Sequence, residues 1–361
     1  MSIRKLIARS ASSVSTWGLR HVAKRPAANM PGKIALKLDP QIIAESMGKI
    51  TEGSIVVVGT NGKTTITNMI ADALERQGKT VACNRTGANL AYGVATTLLQ
   101  SKGAQWGVFE SDELWLAHTL PQVQASYVLL LNLFRDQLDR CGEIDRVQDA
   151  IVQALTESPD TVLLYNADDP LCAMVALRVP NKAIAFGVGE DLHQQQNVVS
   201  DAQMCQRCSA MFTYEYRQYG QLGTYSCPNC GFKRPELDFA AKHAVFGNDI
   251  TFDVEERATG SSVSLHAQRA GVYMIYNVMA AWLASHCAGV SDEVFQQAVD
   301  LFDPQNGRLQ SLTIQGRPVL LNLAKNPTGF NQNMKLITQA EGKKVAAFFI
   351  NDNEADGHDI S

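Results

Sequence analysis

A short glycine-rich segment between an apolar run and a helical stretch constrains the fold of this chain more than any other feature. It reads Gly59-Thr60-Asn61-Gly62-Lys63-Thr64-Thr65, and it lies between the runs 54–58 and 66–75. In such a turn, backbone amides and the positive end of the helix face phosphate oxygens. Lys63 can neutralise the β- and γ-phosphates, and the Thr64 hydroxyl can bind Mg²⁺. The segment is a shortened phosphate loop, and its strand–loop–helix setting predicts a nucleotide site.

Runs rich in valine, isoleucine and leucine alternate with helical stretches along most of the chain. They occur at 55–58, 127–131, 161–165, 319–323 and 345–350. This alternation predicts an α/β fold in which helices cover a parallel sheet. From about Gly187 to Gln268 the pattern changes to polar residues and short alternating runs, which we interpret as small antiparallel strands inserted into a larger α/β domain.

Four of the eight cysteines form two Cys-x2-Cys pairs separated by 18 residues: Cys205, Cys208, Cys227 and Cys230. Each pair can present two thiolates to one metal ion at about 2.3 Å, and the two pairs complete a tetrahedron. The spacing predicts a structural Zn²⁺ ribbon, and paired disulfides are the alternative. Because all four ligands are protein sulfurs, no position remains open for a substrate, and the ion stabilises the fold rather than catalysing a reaction.

Basic residues are concentrated at the start of the sequence. The first 38 residues contain eight Lys or Arg and no acid, whereas the remaining residues sum to a charge of −12. A basic, serine-rich segment of this kind is typical of an organellar transit peptide or of an arm that contacts anionic lipid head groups; a solvated amphipathic helix is the third interpretation. No apolar run approaches the roughly 18 residues of a membrane-spanning helix, so no span is predicted.

Several motifs resemble the Mur ligase family, which includes the folylpolyglutamate synthases, and they follow the order of that family's central domain. Besides the glycine-rich segment, they are Thr86-Gly87-Ala88-Asn89, Glu110, the stretch 132–140, Asn166-Ala167-Asp168-Asp169-Pro170, Asn277 and Gly307-Arg308. The cysteine ribbon and the segments 134–140 and 355–359 are similar to the branch whose members amidate lipid II with a glutaminase partner. The resemblance covers nearly the whole chain.

The resemblance implies three parts. Residues 1–38 form a basic arm or helix, and residues 39–310 form the central ATP-binding domain, with its parallel sheet and with the zinc ribbon inserted at about 200–236. Residues 311–361 begin a C-terminal Rossmann-like domain. Because related chains continue further, we expect this sequence to be truncated; such a chain would bind ATP without completing the ligation, since the missing part closes over the site.

The implied reaction is an ATP-dependent amidation. The α-carboxyl of the D-glutamate in the lipid II stem peptide is phosphorylated, and ammonia displaces the phosphate to give D-isoglutamine. The residues expected at this site are Lys63 on the γ-phosphate, Thr64, Thr86 and Glu110 on Mg²⁺, Asn277 on the adenine, Arg308 on the phosphates and Asn89 on the substrate side. The sequence shows no clear match for the carbamylated lysine of amino-acid-adding Mur ligases, which favours ammonia as the nucleophile.

Ammonia is expected from a second subunit, since the chain shows no convincing Cys–His glutaminase pair. The resemblance implies a heterodimer with a GatD-like glutamine amidotransferase, in which Asp359 completes the partner's Cys–His pair; a solvated acidic tail is the other interpretation. We expect the protein in the cytoplasm at the inner face of the bacterial membrane, in peripheral contact with anionic lipid, and without a nucleic-acid partner.

Other functions stay open at this point. A folylpolyglutamate-type or other Mur-like amide ligase is the nearest enzyme alternative. A zinc-ribbon ATPase that binds nucleic acid is another, although acidic residues dilute the basic ones of the ribbon. The third is a scaffold for a glutaminase, with an inactive phosphate loop.

Overall fold

The structure is a computed structural model that describes residues 3–134, 144–194, 202–247, 249–268, 271–303, 310–324, 326–339 and 342–349. Its helices are α1 (Ile3–Trp17), α2 (Met30–Leu38), α3 (Ile42–Met47), α4 (Lys63–Arg76), α5 (Ala91–Gln100), α6 (Leu116–Val123), α7 (Ile144–Thr156), α8 (Pro170–Arg178), α9 (Val272–Cys287), α10 (Asp292–Asp300) and α11 (Pro327–Gln339). A π-helical turn, Gly18–Val22, continues α1.

The strands are β1 (Ile50–Val58), β2 (Val81–Cys83), β3 (Ala104–Glu110), β4 (Tyr127–Leu130), β5 (Val162–Asn166), β6 (Ala183–Val188), β7 (Thr213–Tyr219), β8 (Leu222–Ser226), β9 (Phe239–Phe246), β10 (Ile250–Glu256), β11 (Ser262–Ala267), β12 (Gln310–Ile314) and β13 (Arg317–Leu321). Nine of them form one sheet in the order β11-β10-β9-β6-β5-β4-β1-β3-β2. The pairs from β2 to β9 along this order are parallel, and the pairs β9–β10 and β10–β11 are antiparallel. The predicted α/β class is therefore confirmed.

The central strand β1 is buried on both faces of the sheet. Ile55 and Val57 belong to the core on one face, under α4, α9 and α10, whereas Val56 and Val58 belong to the core on the other face, with α3, α5, α6, α7 and α8. A strand covered on both sides reads as a continuous apolar run rather than an alternating one. This explains why the run before the glycine-rich segment contains no polar residue after Ser54.

One part of the predicted insertion belongs to the main sheet instead. Strand β9 pairs in parallel with β6, with Phe239 opposite Phe186, so β9, β10 and β11 extend the nine-stranded sheet. The prediction of one insertion from Gly187 to Gln268 was wrong for these strands. Alternating apolar residues correctly indicate antiparallel pairing, but they do not tell which sheet a strand joins. Of the described strands between Gly187 and Gln268, only β7 and β8 stand outside the nine-stranded sheet.

The region after α10 differs from the parallel arrangement that its apolar runs predict. Strand β13 pairs antiparallel with β12 in a separate two-stranded hairpin, and the described residues 344–349 form no strand. Side chains there are largely exposed, with Val345 at 98% and Phe349 at 94%. A parallel strand needs a neighbour joined through a crossover, and the described residues provide none beside these runs.

Along the described ranges, no helix combines the length and the apolar character that crossing a bilayer requires.

Candidate functional site

The turn between β1 and α4 depends on two glycines. Gly59 has a φ of 135° and Gly62 a φ of 93°, a region that other residues rarely adopt. A Cβ on Gly59 would come within 3.0 Å of the backbone nitrogen of Asn132, and one on Gly62 within 2.8 Å of the Asn277 Oδ1. The close approach at Gly62 places Asn277 beside the first turn of α4, where its amide faces the same space as the loop.

Asn132, which follows β4, holds the loop in shape. Its side chain accepts a hydrogen bond from the Asn61 amide (2.9 Å) and donates one to the Asn61 carbonyl (3.0 Å). Its own carbonyl accepts from the Thr60 amide at 2.9 Å, and the Thr60 hydroxyl oxygen accepts from the Phe134 amide at 2.9 Å. The loop is thus preorganised by the neighbouring strand, which lowers the cost of ordering it around a ligand.

Lys63 is buried at the start of α4 beside carboxylates. Its Nζ lies 2.9 Å from the Glu113 Oε1 and donates to the Gly59 carbonyl at 2.5 Å. Burial acts to lower the pKa of Lys63, but the charges of Glu113 and Glu110 outweigh it, so the pKa is raised and the ammonium stays charged. Sequence reasoning missed Glu113; its position three residues beyond Glu110 at the end of β3 was the available signal.

Thr64 and Glu110, both predicted Mg²⁺ ligands, lie side by side. The Thr64 hydroxyl donates to the Glu110 Oε2, and both side chains are buried. Asn84 fixes the Glu110 backbone, because its side chain accepts from the Glu110 amide (2.8 Å) and donates to the Glu110 carbonyl (2.9 Å). A hydroxyl and a carboxylate at one point are oxygen ligands of the kind that Mg²⁺ prefers, so the residues present fit that ion.

A cavity opens above the loop. Its polar floor includes Lys63, Glu110 and Asn277, and its apolar wall includes Met69 and Phe302. A charged floor beside an apolar wall is the combination that a nucleotide needs, with the phosphates at one end and the base at the other.

Residues from the C-terminal part complete this cavity. Gln332 and Asn333 of α11 line it, and the Asn326 Nδ2 donates to the Asn61 Oδ1 at 3.1 Å. The segment that follows the central domain therefore contacts the phosphate loop directly.

The other predicted site residues have different positions. Thr86 is exposed in the turn after β2, and Asn89 is half-buried with its carbonyl bonded to the Asp112 amide at 2.8 Å. Neither lines the cavity, whereas Thr60, Asn61, Gly62 and Thr65 do. Arg308 and Asp359 lie outside the described residues, as do 135–140 and the motif 355–359.

The four ribbon cysteines converge on one point. Their sulfurs all lie within 4.8 Å of one another, with the Cys205 and Cys230 sulfurs 3.5 Å apart and the Cys208 and Cys227 sulfurs 3.4 Å apart. The predicted cluster is confirmed, and its geometry is compatible with tetrahedral Zn²⁺.

The two cysteine turns have the same backbone form. Ser209 and Gly231, which each follow the second cysteine of a pair, have φ values of 60° and 72°. Their amides donate to the carbonyls of Cys205 (2.7 Å) and Cys227 (3.1 Å), the first cysteine of each pair. Matching turns present both thiolate pairs in the same way, which a shared ion requires.

The tip of the β7–β8 hairpin extends from the ribbon to the cavity. The Tyr219 ring stacks on the Phe134 ring with 6.0 Å between centroids, and it meets the Tyr276 ring edge-on at 5.6 Å. The Gln221 side chain donates to the Leu133 carbonyl at 3.0 Å. Tyr219 also lines the cavity. The ribbon thus supports the segment that holds the phosphate loop, and no local sequence signal indicates this contact.

Asp168 joins the ribbon to α9. Its buried carboxylate accepts from the Arg234 Nη1 (2.9 Å), the Tyr276 hydroxyl (2.7 Å) and the Val188 amide (2.8 Å). Burial raises the pKa of Asp168, and Arg234 only partly offsets this effect. The cluster ties β6, α9 and the ribbon together directly behind the cavity.

Asp169 begins helix α8. Its Oδ1 accepts from the Leu171 amide at 2.9 Å, an N-cap, and its Oδ2 accepts from the Leu133 amide at 2.8 Å. Burial raises the pKa of Asp169 to about 6. Both aspartates of the predicted Asn-Ala-Asp-Asp-Pro motif therefore support the site rather than line it.

Comparisons with known proteins agree with the family resemblance that the sequence motifs indicate. The Mur ligase middle domain matches residues 57–285, and the MurT ligase C-terminal domain matches residues 323–361. The lipid II isoglutaminyl synthase (glutamine-hydrolyzing) subunit MurT of Staphylococcus aureus (strain COL) is 30% identical over 95% of this chain and 76% of that protein. The protein of the same name from Streptococcus pneumoniae (strain ATCC BAA-255 / R6) is 32% identical over 92% of this chain and 74% of that protein.

Solved structures share the fold. A pseudomurein peptide ligase type C from Methanothermus fervidus aligns with a TM-score of 0.64 and 20% identity over 80% of this chain. MurF from Acinetobacter baumannii aligns with a TM-score of 0.64 and 18% identity over 86% of this chain. The chain spans 56% and 59% of those two structures, respectively. At these identities, the likeness concerns the fold alone.

Proposed function

This chain belongs to the Mur ligase family, in its MurT group, and from that premise we propose that it is the ATP-dependent, amide-forming subunit of a glutamine-hydrolysing synthase that acts on lipid II. It activates the α-carboxyl of the D-glutamate in the stem peptide as an acyl phosphate. Ammonia then forms the amide and releases phosphate, which leaves D-isoglutamine. The observation that carries this proposal is the buried Lys63 beside the Thr64–Glu110 pair on a preorganised phosphate loop.

Different residues of the site bind different parts of ATP. Amides between Gly59 and Thr65 face the phosphates, and Lys63 neutralises charge that develops on the γ-phosphate during transfer. Thr64 and Glu110 would hold Mg²⁺, which supplies further positive charge to the phosphate oxygens. Asn277, which lines the same cavity, binds the adenine.

Burial around the loop protects the activated carboxyl. Lys63, Glu110 and Glu113 are each less than a tenth exposed. A site that excludes water strengthens the interaction between Lys63 and phosphate and slows hydrolysis of an acyl phosphate. This environment favours capture of the intermediate by ammonia.

Three further assignments are part of the proposal. Thr86 holds a second Mg²⁺, Asn89 contacts the substrate, and Arg308 contacts the phosphates. Thr86 and Asn89 do not line the cavity, so these two roles need a movement of the turn after β2 or a substrate that extends beyond the cavity.

The ribbon cysteines Cys205, Cys208, Cys227 and Cys230 hold a structural Zn²⁺ in this proposal. The support is the donor set, four sulfurs within 4.8 Å of one another. The ion leaves no open position for a ligand, so its contribution is to fix the β7–β8 hairpin.

Ammonia comes from a GatD-like glutamine amidotransferase that forms a heterodimer with this chain. The support is the name of the relatives, which are subunits of a glutamine-hydrolysing synthase. Asp359 lies in the part that matches the MurT ligase C-terminal domain, and we assign it to the partner's Cys–His pair, where a carboxylate would orient the histidine ring.

We divide the chain into three parts by its resemblance to the same family. We assign residues 1–38 to a basic arm, 39–310 to the ATP-binding domain and 311–361 to the beginning of the C-terminal domain. Because ATP is cytoplasmic and lipid II is anchored in the membrane, the protein works in the cytoplasm at the inner face of the bacterial membrane.

Reconstitution tests this function. The chain, its glutaminase partner, ATP, Mg²⁺, glutamine and lipid II are incubated, and mass spectrometry follows conversion of the carboxyl to a carboxamide. We expect Lys63→Ala to lower the amidation rate at least about 100-fold, with partner binding retained. The matched control is Lys79→Ala, which removes a lysine that is about a third exposed and paired with Glu52, and it should leave the rate unchanged. Activity of the Lys63 variant equal to the wild type, or no carboxamide formed from lipid II by the wild-type complex, would contradict the proposal.

A further inference from the structure

The outer face of α1 is apolar. Leu6, Ile7, Val14 and Trp17 are 53%, 52%, 70% and 61% exposed, respectively. Their successive spacings of one, seven and three residues place them on the same side of a helix. A surface helix of a globular protein normally turns such residues inward, so α1 presents the reverse arrangement.

The inner face of α1 holds the helix against the protein. Ala8 and Ser12, one turn apart, are almost completely buried, and the Lys5 Nζ pairs with the Glu45 Oε2 of α3 at 3.1 Å. Small buried residues allow close approach to the neighbouring helices α2 and α5. The outward orientation of the large side chains is therefore set by packing on the opposite side.

Basic residues flank the apolar face at both of its ends. Arg4, Arg20, Lys24 and Arg25 are exposed, and the first acidic residue of the chain, Asp39, is buried. A helix with an apolar face, a tryptophan near one end and flanking basic residues is typical of a segment that lies in a membrane interface. Anionic lipid head groups attract such basic segments.

We infer that the outer face of α1 is a membrane-contact surface that places the helix in the interface of an anionic bilayer. Leu6, Ile7, Val14 and Trp17 enter the boundary between head groups and acyl chains, while the flanking basic residues meet the head groups. The inference rests on the proposed function, because a lipid-linked substrate requires the ligase to work beside the bilayer. A second copy of this chain is a poor occupant, since the same basic segments would face each other.

Vesicle binding of the full chain tests the inference. Flotation with phosphatidylglycerol–phosphatidylcholine vesicles is compared with pure phosphatidylcholine vesicles, and Trp17 emission is followed in parallel. Trp106 and Trp282 are buried and Trp115 is half-buried, whereas Trp17 is 61% exposed, so a blue shift on binding that Trp17→Phe removes reports Trp17. We expect binding only to the anionic vesicles and a blue shift that Trp17→Phe removes.

Two sets of variants separate the apolar and the charged contributions. We expect Val14→Ser with Trp17→Ser to lower vesicle binding at least 10-fold, whereas Leu177→Ser, at a residue 61% exposed on α8, leaves it unchanged. Arg4→Gln with Lys24→Gln and Arg25→Gln should abolish the preference for anionic lipid. Replacing the exposed Lys102 and Lys182 with Gln is the charge control.

The outcomes distinguish this inference from the proposed function. Vesicle binding by the wild type that the α1 variants retain would overturn the inference, as would no binding at all. Loss of glutaminase binding in the Val14→Ser, Trp17→Ser variant would instead assign the face to the partner subunit, and a concentration-dependent dimer lost in that variant would assign it to a second copy. ATP binding and amidation of a water-soluble lipid II analogue test the catalytic proposal separately, because the α1 substitutions lie outside the cavity.

Discussion

Lys63 and Glu113 form a buried ion pair, with the lysine Nζ 2.9 Å from the Glu113 Oε1 and each side chain 10% exposed. The lysine that we assign to the γ-phosphate thus has a protein counter-charge in this structure. Phosphate oxygens must compete with Glu113 or share the ammonium with it. This pair makes the energy of ATP binding depend on a residue outside the phosphate loop.

Replacing Glu113 with Gln should make ATP stabilise the protein more strongly. Loss of one partner leaves a buried ammonium uncompensated and costs about 3–5 kcal/mol of stability. MgATP restores the missing negative charge, so we expect the rise in Tm on adding MgATP to be larger in the variant than in the wild type. Differential scanning fluorimetry measures both shifts.

Glu52→Gln is the matched control for this experiment, because Glu52 pairs with Lys79 where both side chains are about a third exposed. Exposed pairs contribute little to stability. An identical MgATP shift in Glu113→Gln and the wild type would show that the phosphates do not replace Glu113 beside Lys63.

Tyr219→Ala should weaken nucleotide binding without loss of zinc. The substitution removes the stack on Phe134 and the edge contact with Tyr276, and each aromatic pair contributes about 0.5–1.5 kcal/mol. Because Phe134 bonds to Thr60 of the loop, we expect roughly a 10-fold increase in the Kd for an ATP analogue, measured by isothermal titration calorimetry.

Tyr216→Ala provides the comparison within the same strand, since Tyr216 lies in β7 but does not line the cavity. Its Kd should equal that of the wild type, and metal analysis should find zinc retained in both variants. If both variants lost nucleotide affinity equally, the effect would come from the ribbon as a whole and not from the Tyr219 contact.

Metal analysis of the purified chain should find about one Zn²⁺ per molecule, since the four sulfurs form one tetrahedral set. Cys227→Ser removes a buried ligand and should leave almost no zinc after dialysis against a chelator, with a lower Tm because the ribbon turns lose their shared ion. Cys83→Ser, at a half-buried cysteine outside the cluster, should keep the full zinc content. A zinc content unaffected by Cys227→Ser would place the ion elsewhere.

Stability should fall as pH rises through the range in which Asp169 ionises. Burial raises the pKa of Asp169 to about 6, from its usual value of 3.8. The folded protein therefore binds this proton more tightly than the unfolded chain does, so the free energy of unfolding decreases between about pH 4 and pH 6. A pKa raised this far corresponds to about 3 kcal/mol of stability at low pH.

Asp169→Asn isolates this contribution. The difference in the free energy of unfolding between wild type and variant, from urea titrations at several pH values, should change by about 2–3 kcal/mol between pH 4 and pH 7. Asp160→Asn, on the surface, should keep the wild-type slope. A constant difference between wild type and Asp169→Asn would mean that Asp169 ionises in the folded protein as it does in the unfolded chain.

The sequence predicted the elements whose signals are local. The run Ser54–Val58, the glycines at 59 and 62 and the following helix specify a strand–loop–helix unit, because each residue's backbone preference agrees with its neighbours. The two Cys-x2-Cys pairs predicted their own convergence for the same reason, as each turn is complete within a few residues. The sheet class followed from the alternation of apolar runs and helices.

Pairing between distant segments was less predictable. Strands β9 to β11 belong to the main sheet because β9 pairs with the edge of β6. This pairing depends on the neighbouring strand and not on the alternating pattern itself. Glu113 was missed because its role is to pair with Lys63, which is 50 residues away in sequence.

The amino-acid sequence alone determined the phosphate loop, the cysteine cluster and the α/β class, since short-range sterics and metal-ligand spacing act within a few residues. Only the tertiary structure decided that Glu113 neutralises Lys63, that Tyr219 of the ribbon reaches the cavity and that the apolar face of α1 points outward. These relationships arise from packing between segments far apart in the chain, where the free energy of burial selects one arrangement among many that the local pattern permits.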